Sequence, residues 1–291
     1  MDASWKSSGF PFVDSLVPSS LQFDPDGRVI RLDTFSKTVA PGCRLGWITA
    51  QPAIIERILR VTEASTSQPS GFVQAMIAEL LIGPQPAKAD FARRSRAEQN
   101  TFAGWKFDGW VRWLEGLRGS YERRMTRMCH ILEAGRFHLK QGTPLKASES
   151  DWAVISKTEM YTFDWPHGGM FVWVQMRFET HPLAADVAGP ELSRLFWIFL
   201  TQSPNLVLVA PGQTFCPTSD VFEAQGWKYL RVCFAAVDEV DIERCSERFA
   251  RAANSFWGIK NREELEGIDP GEEAEVEGGV DMFDLGAAMG C

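Results

Sequence analysis

The segment that decides the fold reads Asp33-Thr-Phe-Ser-Lys-Thr-Val-Ala-Pro-Gly-Cys-Arg-Leu-Gly-Trp47. Residues 28–33 alternate in polarity and include β-branched side chains, and residues 45–49 are mostly apolar, so both stretches predict strands. The part between them, residues 34–44, is rich in Ser, Thr, Pro and Gly and predicts an irregular loop. Lys37 is thus placed in a polar loop directly after a strand, and Arg44 lies at the far end of that loop.

This loop gathers side chains that suit a phosphorylated aldehyde. The amine of Lys37 can form an imine with the aldehyde. The hydroxyls of Thr34 and Ser36 and the guanidinium of Arg44 can hold the phosphate. A lysine in a polar loop, taken alone, is usually an ordinary surface lysine. The chemistry therefore depends on the whole string of residues.

The whole string resembles the cofactor-lysine segment of the class I and II aminotransferases, which have fold type I and use pyridoxal phosphate. It resembles most the kynurenine/aminoadipate and fungal aromatic amino acid branch, where the local pattern is S-F-S-K-x-x-A-P-G-x-R-L-G-W. Thr34 stands where serine is more usual, and it keeps the hydroxyl. Four later stretches also resemble that family: 113–124, His167–Trp173, Val209–Phe215 and Tyr229–Ala235.

The resemblance implies an α/β fold, the type I fold of pyridoxal-phosphate-dependent transferases, with an incomplete large domain followed by an α/β small domain. It implies that Lys37 is the catalytic residue, which bonds to pyridoxal 5'-phosphate and later moves the proton of the substrate α-carbon. Thr34, Ser36 and Arg44 would bind the cofactor phosphate. The implied partners are an amino acid and a 2-oxo acid, acted on by a homodimer.

Two further residues lie in matching strands. By the same resemblance Arg231 would bind the substrate α-carboxylate as a forked pair, a geometry that lysine cannot reproduce. The alternative for Arg231 is a structural ion pair within a strand. His167 is interpreted as a solvent-facing turn histidine, because that position varies in the family.

In that family, residues ahead of the lysine supply an aspartate for the pyridinium nitrogen, in the context D-x-P-Y. Here 36 residues precede Lys37, and none of their aspartates stands in that context. These aspartates are Asp2, Asp14, Asp24, Asp26 and Asp33. The sequence therefore predicts the C-terminal portion of an aminotransferase: residues 1–108 as the remainder of the large domain, 109–260 as the small domain and 261–291 as an acidic disordered tail.

Three hypotheses about function follow. The first is an aminotransferase of the aromatic or aminoadipate branch. The second is a truncated, non-catalytic relative that acts as a fragment or partner of an intact homologue; the absent aspartate favours it, whereas the intact Lys37, Arg44 and Arg231 count against it. The third is another reaction of the same fold, such as a carbon–sulfur lyase, or a ligand-binding regulatory domain, and no residue supports it. The 11 tryptophans and 20 phenylalanines are too dispersed to predict a substrate pocket.

The composition excludes several other classes of protein. The 291 residues carry 30 Lys+Arg and 38 Asp+Glu, a formal net charge of -8. The acids concentrate in residues 261–291, so the rest of the chain is nearly neutral and offers no basic surface for nucleic acid. No apolar run approaches the roughly 18 residues of a membrane span and no secretory signal is seen, which predicts a cytoplasmic protein that does not enter a membrane. The 6 cysteines lack C-x-x-C spacing and predict reduced thiols without a metal site.

The remaining pattern predicts a mixed chain of helices and strands. Helices are expected at 53–60, at 71–81 as a mostly buried helix, at 110–140 with a break at Gly116 and Gly119, at 190–201 and at 239–255. Strands are expected at 171–176, 206–210 and 229–234.

Overall fold

The computed structural model describes residues 7–141 and 155–269. The chain divides into two compact units, Met1–Gly119 and Ser120–Cys291. The first unit begins with the short helix α1 (Pro11–Asp14), followed by the strands β1 (Arg31–Thr34) and β2 (Gly46–Thr49). Its helices are α2 (Pro52–Ala64), α3 (Gly71–Ile82), α4 (Ala87–Arg93), α5 (Arg96–Asn100) and the first part of α6 (Asp108–Ala134).

The strands β1 and β2 pair in an antiparallel manner, so the loop between them returns on itself. Thr34, the last residue of β1, faces Gly46, the first residue of β2. A Cβ atom on Gly46 would lie 2.5 Å from the carbonyl oxygen of Asp33, so only glycine permits this approach of the two strands. The pairing fixes the two ends of the loop that carries Lys37.

Two expectations for the first unit are wrong. The strand predicted at 28–33 begins only at Arg31, because the carboxylate of Asp24 accepts the backbone N–H groups of Arg28 and Val29 and holds them in a turn. The helix predicted at 71–81 forms as α3 but is not mostly buried. Its one buried residue is Ile77, whereas Phe72 is 78% exposed. An apolar periodicity shows which residues favour burial, and it does not show that other elements cover them.

The second unit is built on antiparallel strands. A two-stranded sheet pairs β3 (Phe137–Gln141) with β4 (Ile155–Glu159). The strands β5 (Tyr161–Phe163), β6 (Phe171–Met176), β7 (Ala210–Pro211) and β8 (Tyr229–Cys233) form a four-stranded sheet in the order β5-β6-β8-β7. The accompanying helices are α7 (Gly189–Thr201), α8 (Ser219–Ala224), α9 (Ile242–Phe256) and α10 (Arg262–Glu266).

The core of the second unit lies on one face of the four-stranded sheet. The inward side chains of β6 and β8 alternate with outward ones, as strand geometry requires. The inward side chains pack with apolar side chains of α6, α7 and α9 in one buried cluster. Its largest fully buried members include Trp257, Tyr161, Phe178, Phe196, Phe249 and Phe256. The opposite face of β6 and β8 carries the candidate substrate arginine.

Two further expectations are corrected in this part of the chain. The helical pattern predicted over 110–140 ends at Ala134 and gives way to β3, and α6 runs through Gly116 and Gly119 without a break. The strand predicted at 206–210 shrinks to β7, because Leu206 adopts the left-handed backbone with φ 45°, which a strand cannot contain.

The acidic C-terminal segment is partly folded. Residues 261–269 include α10, in which Leu265 is only 1% exposed, and Ile268 beyond it is 7% exposed. The side chain of Gln202 donates to the carbonyl oxygen of Ile268 at 2.7 Å, and Arg194 pairs with Asp269. The disorder predicted for 261–291 is therefore wrong for its first nine residues, because two apolar side chains dock in the core despite the acidic composition. Residues 270–291 lie outside the described residues.

Removing residues 261–291 is expected to destabilise the second unit. Loss of the buried Leu265 and Ile268 side chains costs about 3–6 kcal/mol in free energy of unfolding, at the usual value for two buried aliphatic residues. Urea unfolding followed by tryptophan fluorescence measures the change. The matched control ends at Asp269 and keeps every contact described above. Equal unfolding midpoints for the two truncated chains would show that residues 261–269 contribute no stability.

Candidate functional site

The loop that carries Lys37 is closed at its base and tight at its tip. The backbone N–H of Phe35 donates to the carbonyl oxygen of Leu45 at 3.0 Å, which extends the pairing of β1 and β2 by one bond. The N–H groups of Thr38 and Val39 both donate back to the carbonyl oxygen of Phe35, at 3.2 and 2.8 Å. The chain therefore turns sharply around Lys37, whose side chain is exposed.

Two aromatic side chains of the first unit support this loop. The indole Nε1 of Trp113, in α6, donates to the carbonyl oxygen of Thr38 at 2.7 Å. The ring of Phe35 packs against that of Trp47 with 4.8 Å between centroids. This bond could not be predicted from the sequence, because nothing in a sequence relates residues 75 positions apart. The carbonyl group that follows Lys37 is thus held by a helix rather than by the loop alone.

The four residues predicted to bind the cofactor lie in this loop or at its ends, and the polar groups of their side chains are available to a ligand. Among residues 7–141 and 155–269, no side-chain hydrogen bond or ion pair involves Thr34, Ser36, Lys37 or Arg44. Arg44 also adopts the left-handed backbone, with φ 46° and ψ 36°. A non-glycine residue in that region costs roughly 1–2 kcal/mol. Such outliers concentrate at functional sites, where the surrounding structure holds the residue in place.

The chemistry of this donor set fits the phosphate and aldehyde of pyridoxal phosphate. An amine without an ion-pair partner can bond to an aldehyde, and two hydroxyls and a guanidinium can hold a phosphate dianion. None of the described aspartates ahead of Lys37 is available to contact the pyridine nitrogen, because each already has a hydrogen-bond or ion-pair partner close by in the sequence. Their partners are Ser7 and Ser8 for Asp14, Arg28 and Val29 for Asp24, Arg28 for Asp26 and Arg31 for Asp33.

The hydrogen bonds to two of these aspartates also hold their carboxylates in the ionised form. The hydroxyl of Ser7 and the backbone N–H of Ser8 lower the pKa of Asp14. The backbone N–H groups of Val29 and Arg28 lower the pKa of Asp24. Asp2 lies outside the described residues. The chemical fit therefore covers the cofactor's phosphate and aldehyde, and it does not extend to the ring nitrogen.

Replacing Arg44 by glycine is expected to separate backbone strain from ligand binding. Glycine adopts the left-handed backbone freely, so the Arg44→Gly chain should unfold at a temperature equal to or above that of the original chain. Loss of the charged donor should weaken binding of pyridoxal phosphate by at least roughly tenfold, given about 1.5–3 kcal/mol for a hydrogen bond to a charged group. Calorimetric titration and thermal melting measure the two effects. Undiminished cofactor affinity would exclude Arg44 from the phosphate site.

Arg231 lies at the centre of an aromatic surface in the second unit. It faces Trp173 across the β6–β8 pair and Ala210 across the β7–β8 pair. Its guanidinium carbon lies 4.1 Å from the ring centroid of Phe171 and 4.4 Å from that of Phe215. No carboxylate in the described part of the chain pairs with Arg231, so the alternative of a structural ion pair has no partner there.

The aromatic side chains around Arg231 also contact one another. Trp173 meets the ring of Phe215 edge-on and stacks on that of Tyr229, with 5.4 Å between centroids in each pair. Sequence reasoning found the aromatic residues too dispersed to form a pocket. It missed this group because antiparallel pairing, rather than chain order, brings β6 beside β8. The alternation of 171 with 173 and of 229 with 231 was the available signal.

Other predictions about sites concern single residues. His167 is exposed in a bend, as predicted. The described residues contain no group of three or more His, Cys, Asp or Glu side chains arranged to hold a metal ion. Over the same ranges, no helix has the length and apolar character needed to cross a bilayer.

The fold and the lysine loop place the chain in a known class of protein. It belongs to the class I and II aminotransferases, and the model of that family matches residues 9–102. Its fold is the type I fold of pyridoxal-phosphate-dependent enzymes.

Individual relatives agree with this assignment. The chain is 36% identical over 283 residues to an L-tyrosine:2-oxoglutarate aminotransferase of Tapinella panuoides, covering 83% of this chain and 46% of that protein. It is 27% identical over 260 residues to an aromatic amino acid aminotransferase of Schizosaccharomyces pombe, covering 89% and 45%. The crystal structure of aminotransferase Aro8 from Candida albicans superposes with a TM-score of 0.58 at 26% identity, covering 85% of this chain and 44% of that one. The chain spans about half the length of these relatives.

Proposed function

We propose that this chain carries the catalytic lysine of an aminotransferase that moves an amino group between an aromatic amino acid and a 2-oxo acid. The observation that supports this best is the loop around Lys37, where one short stretch carries an exposed amine, two hydroxyls and a guanidinium that have no side-chain partner among residues 7–141 and 155–269. Pyridoxal phosphate, when bound, supplies an aldehyde and a ring that accepts electrons from the substrate α-carbon.

Each residue has a role that follows from its chemistry. Lys37 would hold the cofactor through its amine, and the same amine would act as the base that takes the proton from the substrate α-carbon. Thr34, Ser36 and Arg44 bind the phosphate. Arg231 binds the α-carboxylate through two parallel N–H donors. A cytoplasmic homodimer stays a prediction from the sequence.

The substrate class is inferred from the second unit and from the relatives. Phe171, Trp173, Phe215 and Tyr229 surround Arg231 with aromatic surface. Aromatic rings pack favourably on such surfaces in offset or edge-on arrangements. The name of the Tapinella panuoides relative gives tyrosine as its substrate. We therefore favour aromatic substrates over aminoadipate-like ones.

A second candidate function is a non-catalytic partner of an intact homologue. It is favoured by the local engagement of Asp14, Asp24, Asp26 and Asp33, since each of these carboxylates already has a hydrogen-bond or ion-pair partner and none is left to stabilise a proton on the cofactor's ring nitrogen. A chain of this kind would bind the cofactor weakly and transfer no amino group by itself.

A fusion protein tests both candidates. It joins the N-terminal part of the Tapinella panuoides relative, up to the start of the segment that matches this chain, to the N-terminus of this chain. The fusion is expected to transfer the amino group of tyrosine to 2-oxoglutarate, and its Lys37→Ala variant is expected to be inactive. The 291-residue chain alone is expected to give no turnover above that control. A folded fusion that binds cofactor yet transfers nothing would contradict the proposed function and leave the non-catalytic role.

A further inference from the structure

Arg231 contacts two aromatic rings, and within the described residues no hydrogen bond uses its guanidinium N–H groups. An arginine at a binding site is often fixed by a neighbouring carboxylate, which occupies the same N–H groups that a ligand needs. Here two phenyl rings take that place, at 4.1 Å and 4.4 Å from the guanidinium carbon. A ring face attracts the cation without using a strong hydrogen-bond donor.

We propose that Phe171 and Phe215 are positioning residues that restrain the Arg231 guanidinium with its N–H groups open to a carboxylate ligand. This inference rests on the proposed function, in which the ligand is the α-carboxylate of the substrate. Because the guanidinium is already restrained in the free protein, the long arginine side chain loses less conformational entropy when it binds a carboxylate.

The two rings are themselves fixed by the fold. Phe171 lies on β6 and faces Cys233 of β8 in the strand register. Phe215 ends a short 3-10 turn, Gly212–Phe215, that follows β7. A Cβ atom on Gly212 would lie 2.2 Å from the carbonyl oxygen of Gly226, so this turn passes against the neighbouring backbone as closely as glycine permits. Trp173 then supports the ring of Phe215 from the side.

Because Phe215 is exposed, its contact with Arg231 can be tested without disturbing the packing of the core. Its side chain is 41% exposed, and it is not part of the buried cluster of the second unit. Substitution of Phe215 is therefore expected to spare the fold. A leucine at this position keeps apolar surface and removes the ring, whereas a tyrosine keeps the ring.

The test is an NMR titration of the full 291-residue chain with 3-phenylpropanoate, an aromatic carboxylate without an amino group. The probe should shift the Nε–H signal of Arg231 and bind about two- to twelvefold more weakly to the Phe215→Leu chain, the range expected when one long side chain has to be ordered on binding. Phe215→Tyr should restore the affinity to within roughly twofold, because the ring face returns. Phe171→Leu repeats the test from the other side, and Phe72→Leu, in α3, is the control without effect. Loss of the ring should also move the Arg231 Nε–H signal of the free chain.

The outcomes distinguish this inference from the proposed function. Arg231→Ala should abolish the binding of 3-phenylpropanoate. If it does, and Phe215→Leu and Phe171→Leu bind as the original chain does, the positioning role is overturned and the role of Arg231 stands. If the original chain does not bind the probe, or Arg231→Ala binds it equally well, the carboxylate role of Arg231 fails, and the positioning role fails with it.

Discussion

A chain with Lys37 replaced by alanine is expected to lose the site-specific capture of pyridoxal phosphate when an equimolar mixture is reduced with borohydride. Only a primary amine can make the covalent bond that reduction fixes. Lys37 combines exposure at the tip of a tight turn with neighbouring groups that can hold the phosphate. In the fusion described above, loss of this base should lower kcat by at least roughly 10²–10⁴-fold from proton transfer alone.

Peptide mass spectrometry of the reduced protein identifies the labelled lysine. The matched control is Lys88→Ala, which removes a lysine of the same unit that is already paired with Glu79. This control chain should be labelled at Lys37 as strongly as the original one. Label on another lysine, retained in the Lys37→Ala chain, would show that the loop has been assigned the wrong role.

The lysine loop could be predicted from sequence because its chemistry is local. Thr34, Ser36, Lys37 and Arg44 lie within one short stretch, and the strands on both sides of it are signalled by their composition. The structure adds what local pattern lacks, namely the bond from Trp113 to the carbonyl group after Lys37. It also adds the left-handed backbone of Arg44, which no propensity predicts for arginine.

The errors in the fold have a common physical cause. Periodicity and composition describe one segment at a time, whereas burial depends on what packs against that segment. α3 has the apolar residues of a buried helix, yet Phe72 is exposed. The acidic segment after residue 260 has the composition of a disordered tail, yet Leu265 and Ile268 find places in the core. The aromatic residues around Arg231 were unpredicted for the same reason, since only strand pairing unites them.

Replacing Arg231 is expected to weaken substrate binding and leave cofactor capture unchanged. Removing one partner of a desolvated charge pair typically costs about 2–5 kcal/mol. In the same fusion, KM for tyrosine should therefore rise by at least roughly thirtyfold in the Arg231→Ala variant. Borohydride labelling of Lys37 should not change, because Thr34, Ser36 and Arg44 are assigned to the phosphate and all remain.

The Arg231→Lys variant separates charge from geometry. Lysine keeps the positive charge but offers one compact ammonium in place of the planar fork, so it cannot make two parallel bonds to a carboxylate. An ammonium also lacks the broad planar surface that guanidinium presents to aromatic rings, which weakens its contacts with Phe171 and Phe215. KM should thus stay well above that of the original fusion. Recovery of the original KM by lysine would mean that charge alone suffices, and Arg231 would lose the forked contact on which its assignment depends.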